Sequence, residues 1–403
     1  MRILMIANPG SVHSQRWSAA LAARGHDVLL AGIRRPKVLS PKIPGAEIPG
    51  VELAIYGPGR PDPQGPILQA AGYAALGLGL ARLARHFRPD VVNAHYALTN
   101  GVLAALAGLR PRVVNLWGRD AIWDGAGPMP AWRRRLLRIA LERADAIVST
   151  TDFMLQSTRP LLRRLPPAHV IRWGVDCAHF TPNPEANPET GPETSPEAGS
   201  EAGSGADTEA RRDTITVGWV KTFAPKYAPD LFLEAAARAA AADPRLRFVM
   251  AGQGPEHAAT KTTAQRFGLE DRIVFPGFVP QAELPELMRS VDMLVQSSRY
   301  ASESYGVVLV EAAACGLPVI ATDVGGVREA MLPGENALLV PPEDPEALSA
   351  AILALAHDPA RRVTMGATGR TFVERELDWQ RSLDRHEEVL REVVQALRTR
   401  QAP

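Results

Sequence analysis

Short, unbroken apolar runs punctuate the chain, and between them apolar positions recur at helical spacing. Arg2 to Ala7, Val28 to Ala31, Val91 to Ala94, Val113 to Leu116 and Ala146 to Ser149 read as strands, with a helix over Gln15 to Arg24 following the first. Strands that are apolar throughout, rather than alternately, are covered on both faces, and intervening helices make them parallel. The rhythm restarts with Ile215 to Val220, Arg247 to Ala251, Ile273 to Phe275, Met293 to Gln296 and Pro318 to Ala321, which predict a second sheet. The predicted class is α/β, with two Rossmann-like, doubly wound parallel-sheet domains.

Between the two patterns lies Pro182 to Arg212, where Asn-Pro-Glu, Gly-Pro-Glu and Ser-Pro-Glu recur without an aromatic residue. Such a stretch buries too little apolar surface to fold and is predicted to be a disordered insert at the domain junction. The expected division is residues 1–172 for the first domain, 173–212 for a hinge plus the insert, 213–375 for the second domain and 376–403 for a terminal helix. That helix carries Leu383, Val389, Leu390, Val393, Val394 and Leu397 at helical spacing, and periodicity leaves open whether it packs on its own domain or crosses back to the first.

Length and composition fit this picture: 403 residues suit two domains, and 46% apolar with 22% charged residues is ordinary for a globular enzyme. The stretch Ile67 to Ala84 contains Gln69, Arg82 and several glycines, and is predicted to be a mostly buried helix, not a membrane span. Cys177 and Cys315 make neither a disulfide framework nor a metal-ligand pattern, and the amino end carries no cleavage-site pattern, so a cytoplasmic location is expected. The charge balance is uneven. Residues 1–180 hold 23 Lys/Arg against 11 Asp/Glu, and residues 181–403 hold 22 against 33. Two readings stay open for the first half: a solvated arginine-rich surface, or one that meets an anionic acceptor or lipid headgroups. The stretch Trp132 to Arg143, with Arg133, Arg134, Arg135 and Arg138 interleaved with Leu136, Leu137, Ile139 and Leu141, could rest on an anionic leaflet as a basic amphipathic helix.

The densest candidate chemistry is Glu303-Ser304-Tyr305-Gly306, followed by a helical run through Glu311 that stops at Gly316 before Pro318. Ligands of open parallel sheets sit outside the carboxyl ends of the strands, where this loop falls. The amides of Tyr305, Gly306 and Val307 would present donors at the positive end of the helix, suited to a phosphate. Carboxylates beside a diphosphate would be repelled by it, so Glu303 and Glu311 fit as acceptors for neutral sugar hydroxyls. Lys221 and Lys226, in the loop after the first strand of the second sheet, would neutralise a diphosphate and stabilise the departing nucleotide.

In Ser304-Tyr305-Gly306, in Glu311-Ala312-Ala313-Ala314-Cys315-Gly316 and in a Glu, seven residues, Glu spacing, the sequence resembles the retaining family 4 glycosyltransferases. The resemblance covers nearly the whole chain apart from the insert. It implies the GT-B fold, in which two Rossmann-like domains face each other across a cleft. By resemblance Glu303 contacts donor-sugar hydroxyls and Glu311 the nucleotide ribose. Lys221 and Lys226 keep the spacing of the family's Arg and Lys pair, with a point charge where the first guanidinium fork would stand. Phe275-Pro276-Gly277-Phe278-Val279-Pro280 resembles the segment whose backbone reads the nucleobase, which assigns Gly277, Phe278 and Val279 to base contact. Ile171 to Asp176 resembles the family's hinge segment, and Ala251-Gly252-Gln253-Gly254-Pro255 reads as a glycine turn ending a strand.

In the first half, the loop Asn8 to Arg16 corresponds to one the family places near donor phosphate and acceptor; Gly10 permits backbone approach, and His13 and Arg16 are candidate acceptor or phosphate contacts. Asn115-Leu116-Trp117-Gly118-Arg119-Asp120 resembles a Trp-Gly-Ser-Asp variant, with Trp117 where many members carry His. Asp120 joins Glu303, Lys221 and Lys226 as a catalytic candidate, and His95 joins the acceptor side. The implied reaction moves a sugar from a UDP-, GDP- or ADP-sugar to a glycan, lipid-linked or small-molecule acceptor with retention, by front-face displacement. No first-domain carboxylate is an obvious nucleophile, no cofactor or metal is expected, Asp-x-Asp is absent from the sequence, and no nucleic-acid partner is expected. An epimerase or phosphorylase on the same fold, or a silent nucleotide-sugar-binding subunit, remain the competing readings.

Overall fold

The structure, a computed structural model, describes residues 1–33, 48–56, 66–125, 127–183 and 214–401. Apart from Pro182 and Asn183, the insert expected over Pro182 to Arg212 lies outside the described residues. The chain divides into two compact units, Met1–Arg172 with Gln380–Pro403, and Trp173–Trp379.

The first unit is built on β1 (Arg2–Ile6), β2 (Asp27–Gly32), β3 (Val51–Ile55), β4 (Val91–His95), β5 (Arg112–Leu116), β6 (Ala146–Ser149) and β7 (Ala168–Val170), in the order β3-β2-β1-β4-β5-β6-β7. All the pairings are parallel; Ile3 aligns with Val28 on one side and Val91 on the other, which makes β1 central. Ile3, Leu4, Met5 and Ile6 are wholly buried, as strands covered on both faces must be. The helices are α1 (Val12–Ala23), α2 (Pro66–Phe87), α3 (Val102–Leu106), α4 (Ala131–Leu141) and α5 (Asp152–Thr158). The expectation for α2 needs correction. Leu76, Leu80, Ala84 and Phe87 form one buried stripe, while Leu78 is 61% exposed, so α2 is half-covered instead of mostly buried.

The second unit contains β8 (Ile215–Val220), β9 (Leu246–Ala251), β10 (Ile273–Gly277), β11 (Met293–Gln296), β12 (Val319–Thr322) and β13 (Ala337–Val340), ordered β10-β9-β8-β11-β12-β13 and all parallel. Around the sheet run α6 (Pro229–Ala242), α7 (His257–Arg266), α8 (Leu284–Arg289), α9 (Val307–Ala314), α10 (Pro345–Ala356) and α11 (Pro359–Glu376). Local sequence explains their starts. Asp344 and Asp358 accept the amides of Ala347 and Arg361, and Pro345 and Pro359 occupy the first helical position, where no N–H is missed. Each such cap contributes about 1 kcal/mol.

The last helix, α12 (Trp379–Gln401), begins in the second unit and continues as part of the first from Gln380 onward. Within the first unit its apolar stripe, Leu383, Val389 and Leu390, is buried. Glu387 on the same helix accepts from Arg24 Nη1 at 3.0 Å and lies 2.9 Å from His26 Nε2. Burial pushes the Glu387 carboxyl up, but hydrogen bonds from Arg391, Arg24 and His26 outweigh it and hold the group at about 2. His386 reaches the sheet itself, with Nε2 3.0 Å from Asn93 Nδ2 on β4.

Both strand orders reverse direction at one place, between β1 and β4 and between β8 and β11. Loops leaving adjacent carboxyl ends there diverge to opposite faces and open a crevice, the usual ligand position of such sheets. The candidate residues concentrate at these points.

Candidate functional site

At the β8/β11 switch point, the loop after β8 turns through a single 3-10 turn, Pro225–Tyr227, and brings Lys221 and Lys226 to one spot. The loop after β11 brings Glu303 to the same spot. Lys221 Nζ lies 3.4 Å and Lys226 Nζ 3.9 Å from the same Glu303 oxygen, and Lys226 also donates to the Ser302 carbonyl at 2.8 Å. All of these side chains are largely buried, the Glu303 side chain to 8% exposure. Burial alone would raise the Glu303 carboxyl; Lys221 and then Lys226 outweigh it, and the group is held below the ordinary glutamate value. The carboxylate is therefore ionised at neutral pH and paired to cations that a more strongly charged ligand would compete for.

Sequence reasoning missed what holds this triad. The Tyr227 ring sits 5.0 Å from Lys221 Nζ and 5.2 Å from Lys226 Nζ, an aromatic face shared by both ammonium groups. Gly252, at φ 137, lies so close to the lysine loop that a Cβ there would stand 1.9 Å from the Lys221 carbonyl oxygen. The glycine turn after β9 is thus a brace, with Lys221 N–H bonded to the Ala251 carbonyl and Phe223 N–H to that of Gln253. A second brace is Gly325-Gly326 after β12. Gly326 N–H donates to the Glu303 carbonyl at 3.2 Å, and a Cβ on Gly325 would stand 2.1 Å from that oxygen. The signal in sequence was the bare Gly-Gly pair, which alone names no target.

The helical run expected after Glu303-Ser304-Tyr305-Gly306 begins at Val307, with Gly306 as its N-cap at φ 83. A left-handed backbone favours glycine here; the Leu309 N–H is bonded to the Gly306 carbonyl at 2.9 Å, and with no capping side chain the Val307 and Val308 amides are left to a ligand or solvent. Gln296 of β11 lies beneath, its Oε1 3.1 Å from where a Gly306 Cβ would be. The Tyr305 side chain packs into the apolar core with Val308 and Leu309, so only its backbone is available for the expected donor contact. Val307 is partly buried. Glu311 is buried on α9, with Oε1 accepting from Gln281 Nε2 at 2.7 Å; Gln281 is a further residue the sequence did not single out. Gly277 ends β10 at φ 79 and its carbonyl accepts from Gly252 N–H at 2.7 Å, which ties the segment expected to contact the base to the glycine turn. Phe278 beside it is 50% exposed and Val279 packs on the core.

At the β1/β4 switch point of the first unit lies a cavity of about 550 Å³, lined by Asn8, Ser11, Ser14, His95, Asn100 and Trp117 among others. Gly10 is exposed in the loop that edges it, and its N–H bonds to Asn8 Oδ1. His13 and Arg16 lie on α1 and are not among the lining residues; His13 stands edge-on to Trp117 at 5.9 Å. His95 does line the cavity, edge-on to Trp117 at 5.3 Å.

Asp120 requires a correction. Its side chain is wholly buried, with Oδ2 accepting the Ala97 amide at 2.7 Å and Oδ1 the Trp117 amide at 3.0 Å. Burial raises its carboxyl against these bonds. Asp120 therefore fixes the loop that carries Trp117 to the loop after β4 and does not present a carboxylate to a reacting centre. Among the described residues no group of three or more His, Cys, Asp or Glu side chains is arranged to hold a metal, and no helix is long and apolar enough to cross a membrane.

The family of glycosyl transferases group 1 matches residues 206–372, which include both lysines and both glutamates, and a glycosyl transferase 4-like family matches residues 2–151. D-inositol 3-phosphate glycosyltransferase of Kineococcus radiotolerans is 31% identical over 337 residues, covering 77% of this chain and 73% of that protein. The chain belongs to the group 1 glycosyl transferases. The enzyme of the same name from Kribbella flavida is 31% identical over 69% of this chain, and the match spans 65% of that relative, just under two thirds of its length. A GDP-mannose-dependent alpha-(1-6)-phosphatidylinositol monomannoside mannosyltransferase of Mycolicibacterium smegmatis is 28% identical over 70% of each chain. Among solved structures, the sucrose-phosphate synthase of Thermosynechococcus elongatus superposes with a TM-score of 0.76 at 21% identity, over 98% of this chain and all of that one. Anabaena Alr3699/HepE in complex with UDP-glucose gives 0.74 at 19% identity, over 97% and 100%. This group 1 transferase thus has the GT-B type of fold, with two parallel-sheet α/β units.

Proposed function

We propose that the chain transfers a hexose from a nucleoside-diphosphate sugar to an acceptor hydroxyl with retention of anomeric configuration. The observation that carries this reading is the convergence of Lys221 and Lys226 on Glu303 at the β8/β11 switch point, beside the uncapped start of α9. The donor diphosphate takes over the two ammonium groups and the first-turn amides, and Glu303, released from its cations, accepts a sugar hydroxyl. Glu311, oriented by Gln281, accepts from the ribose hydroxyls.

In the transfer step the bond from the anomeric carbon to the leaving phosphate oxygen breaks and a bond to the acceptor oxygen forms on the same face. The acceptor proton passes to the departing phosphate oxygen. Lys221 and Lys226 stabilise the negative charge that develops there, the electrostatic contribution expected to be largest. The reading assigns no step to a metal or cofactor. The donor belongs to the UDP-, GDP- or ADP-sugar class, and the acceptor is a glycan, a lipid-linked sugar or a small molecule; the phosphatidylinositol monomannoside for which the Mycolicibacterium relative is named agrees with the lipid-linked option.

The helix α4 supports peripheral contact with an anionic membrane. Its Leu137, Ala140 and Leu141 are buried, while Trp132, 63% exposed, stands beside exposed Arg134 and Arg135. Of the basic cluster, Arg133 is held over the Trp123 ring and Arg138 donates to the Leu161 carbonyl, so Arg134 and Arg135 are the groups that would meet headgroups. Retention on anionic but not zwitterionic liposomes at low salt tests the contact.

The test of the activity is nucleoside-diphosphate release from a panel of nucleotide sugars, with and without acceptors, and the anomeric configuration of the product by NMR. Acceptor-dependent release with retention supports the proposal; binding without turnover, or an epimerised free sugar, defeats it.

A further inference from the structure

Resting on the transfer reading, we infer that Arg299 is a positioning residue, which clamps the turn carrying Lys226 so that its ammonium group stands ready for the departing phosphate. Arg299 lies between the end of β11 and Glu303, so one loop both presents the carboxylate and grips the loop of its cation. The Arg299 N–H donates to the Lys226 carbonyl at 2.9 Å, and its Nη1 to the Pro225 carbonyl at 3.3 Å. The guanidinium is itself fixed on acids from two other elements. Nε donates to Glu343 Oε1 at 2.6 Å, in the loop between β13 and α10, and Nη2 to Asp230 Oδ2 at 2.9 Å, in the first turn of α6. A rigid planar fork reaches all of these at once, where an ammonium group would not.

The turn needs such a clamp. Ala228, directly after the turn Pro225–Tyr227, has φ 46, and Glu343 has φ 58. Both are non-glycine residues in the left-handed region, where an L side chain crowds its own backbone. Residues of this kind persist only where their surroundings over-determine them. Here one follows the turn that Arg299 grips and the other is an acid that it binds. Ser297 gives a second hold: its Oγ accepts from Trp219 Nε1 at 3.0 Å and lies 2.9 and 3.0 Å from the Tyr227 and Ala228 carbonyl oxygens. Stability alone does not account for the fork, because the Asp230 and Glu343 side chains are 61% and 57% exposed and ion pairs to exposed partners contribute little to folding. What the fork secures is placement. With the Lys226 backbone held, Nζ reaches the Ser302 carbonyl at 2.8 Å and Glu303 Oε2 at 3.9 Å. A shift of about 1 Å in such a group can cost about 10²-fold in rate. Lys221 stands before the turn and is tied to β9 through its own N–H, so the clamp acts on Lys226.

The experiment is a double-variant cycle on the full chain: the unaltered protein, Arg299→Ala, Lys226→Ala and both together. It is read as nucleoside-diphosphate release from UDP-, GDP- and ADP-sugars, and as calorimetric affinity for UDP, GDP and ADP. Arg299→Ala should lower kcat at least about tenfold, with part recovered in Arg299→Lys, and should lower it no further once Lys226 is replaced. A residue that only supported the fold would lower turnover by the same factor in both backgrounds. If Arg299→Ala fails to fold by its melting curve, Arg299→Lys carries the same cycle with a several-fold loss. Equal losses in the two backgrounds, or an unaltered kcat in Arg299→Ala, overturns the clamp. Absence of turnover in the unaltered protein would instead sink the transfer reading, and the cycle in nucleoside-diphosphate affinity, where the same non-additivity is expected, would still decide the clamp.

Discussion

The two switch points of this chain share a topology and differ in nearly everything the ligand would feel. Between β8 and β11 the crevice is charged, and its charges are satisfied by each other: Lys221 and Lys226 on Glu303, all braced by glycine turns. Between β1 and β4 the described lining residues are uncharged, and the ring nitrogens of buried His95 have no hydrogen-bond partner among the described residues. The reversal of strand order thus opens a crevice in each unit, while the side chains at the strand ends set its charge. A preformed ion triad suits a ligand that brings more charge than it displaces.

The comparison breaks most visibly if the charged site is emptied of charge. Lys221→Ala or Lys226→Ala should each lower turnover about 10²- to 10³-fold, the magnitude typical for one electrostatic stabiliser. Unchanged turnover in both variants would show that the ammonium groups do not act on the departing phosphate. Next comes the brace. Gly325→Ala should destabilise the chain by more than the roughly 1–2 kcal/mol of a left-handed alanine, because the new Cβ meets backbone, not a movable side chain; a melting curve matching the unaltered protein would contradict this.

The neutral crevice is sharpened by pH. Burial lowers His386 to about 4 from an ordinary 6.5. A histidine whose folded value is depressed favours the folded state above its unfolded value, and that stability is lost as pH falls from about 6.5 toward 4, by at most about 1.4 kcal/mol per unit. Melting temperature should therefore drop between pH 6.5 and pH 5, with His95 adding in the same direction, and the drop should shrink in His386→Gln. The smallest effect is Gln281→Ala, which should raise donor KM about threefold by releasing one hydrogen bond that orients Glu311.

Much of this was legible in the sequence because buried parallel strands cannot hide their apolar runs. Every strand at the centre of either sheet was visible. The strands overlooked, β3, β7 and β13, all lie at sheet edges, where one side goes unpaired: β3 is only partly buried, β7 is three residues long, and β13 leaves Leu338 and Leu339 only partly buried. At the site, Glu303, Lys221 and Lys226 were visible through residue type and loop position. Tyr227, Gly252, Gly325 and Gln281 were not, because each acts on a residue distant in sequence. Asp120 shows the converse: a polar residue at a strand end read as chemistry, yet both its oxygens hold backbone amides.

Titration calorimetry of a nucleoside diphosphate against the unaltered protein, Lys221→Ala/Lys226→Ala and Glu303→Gln tests the exchange of partners most directly. If the triad is a donor site in which Glu303 competes for the cations, the double variant should lose affinity while Glu303→Gln, with no carboxylate to displace, binds the diphosphate more tightly than the unaltered protein. Equal affinity in all three, or weaker binding by Glu303→Gln, would contradict it.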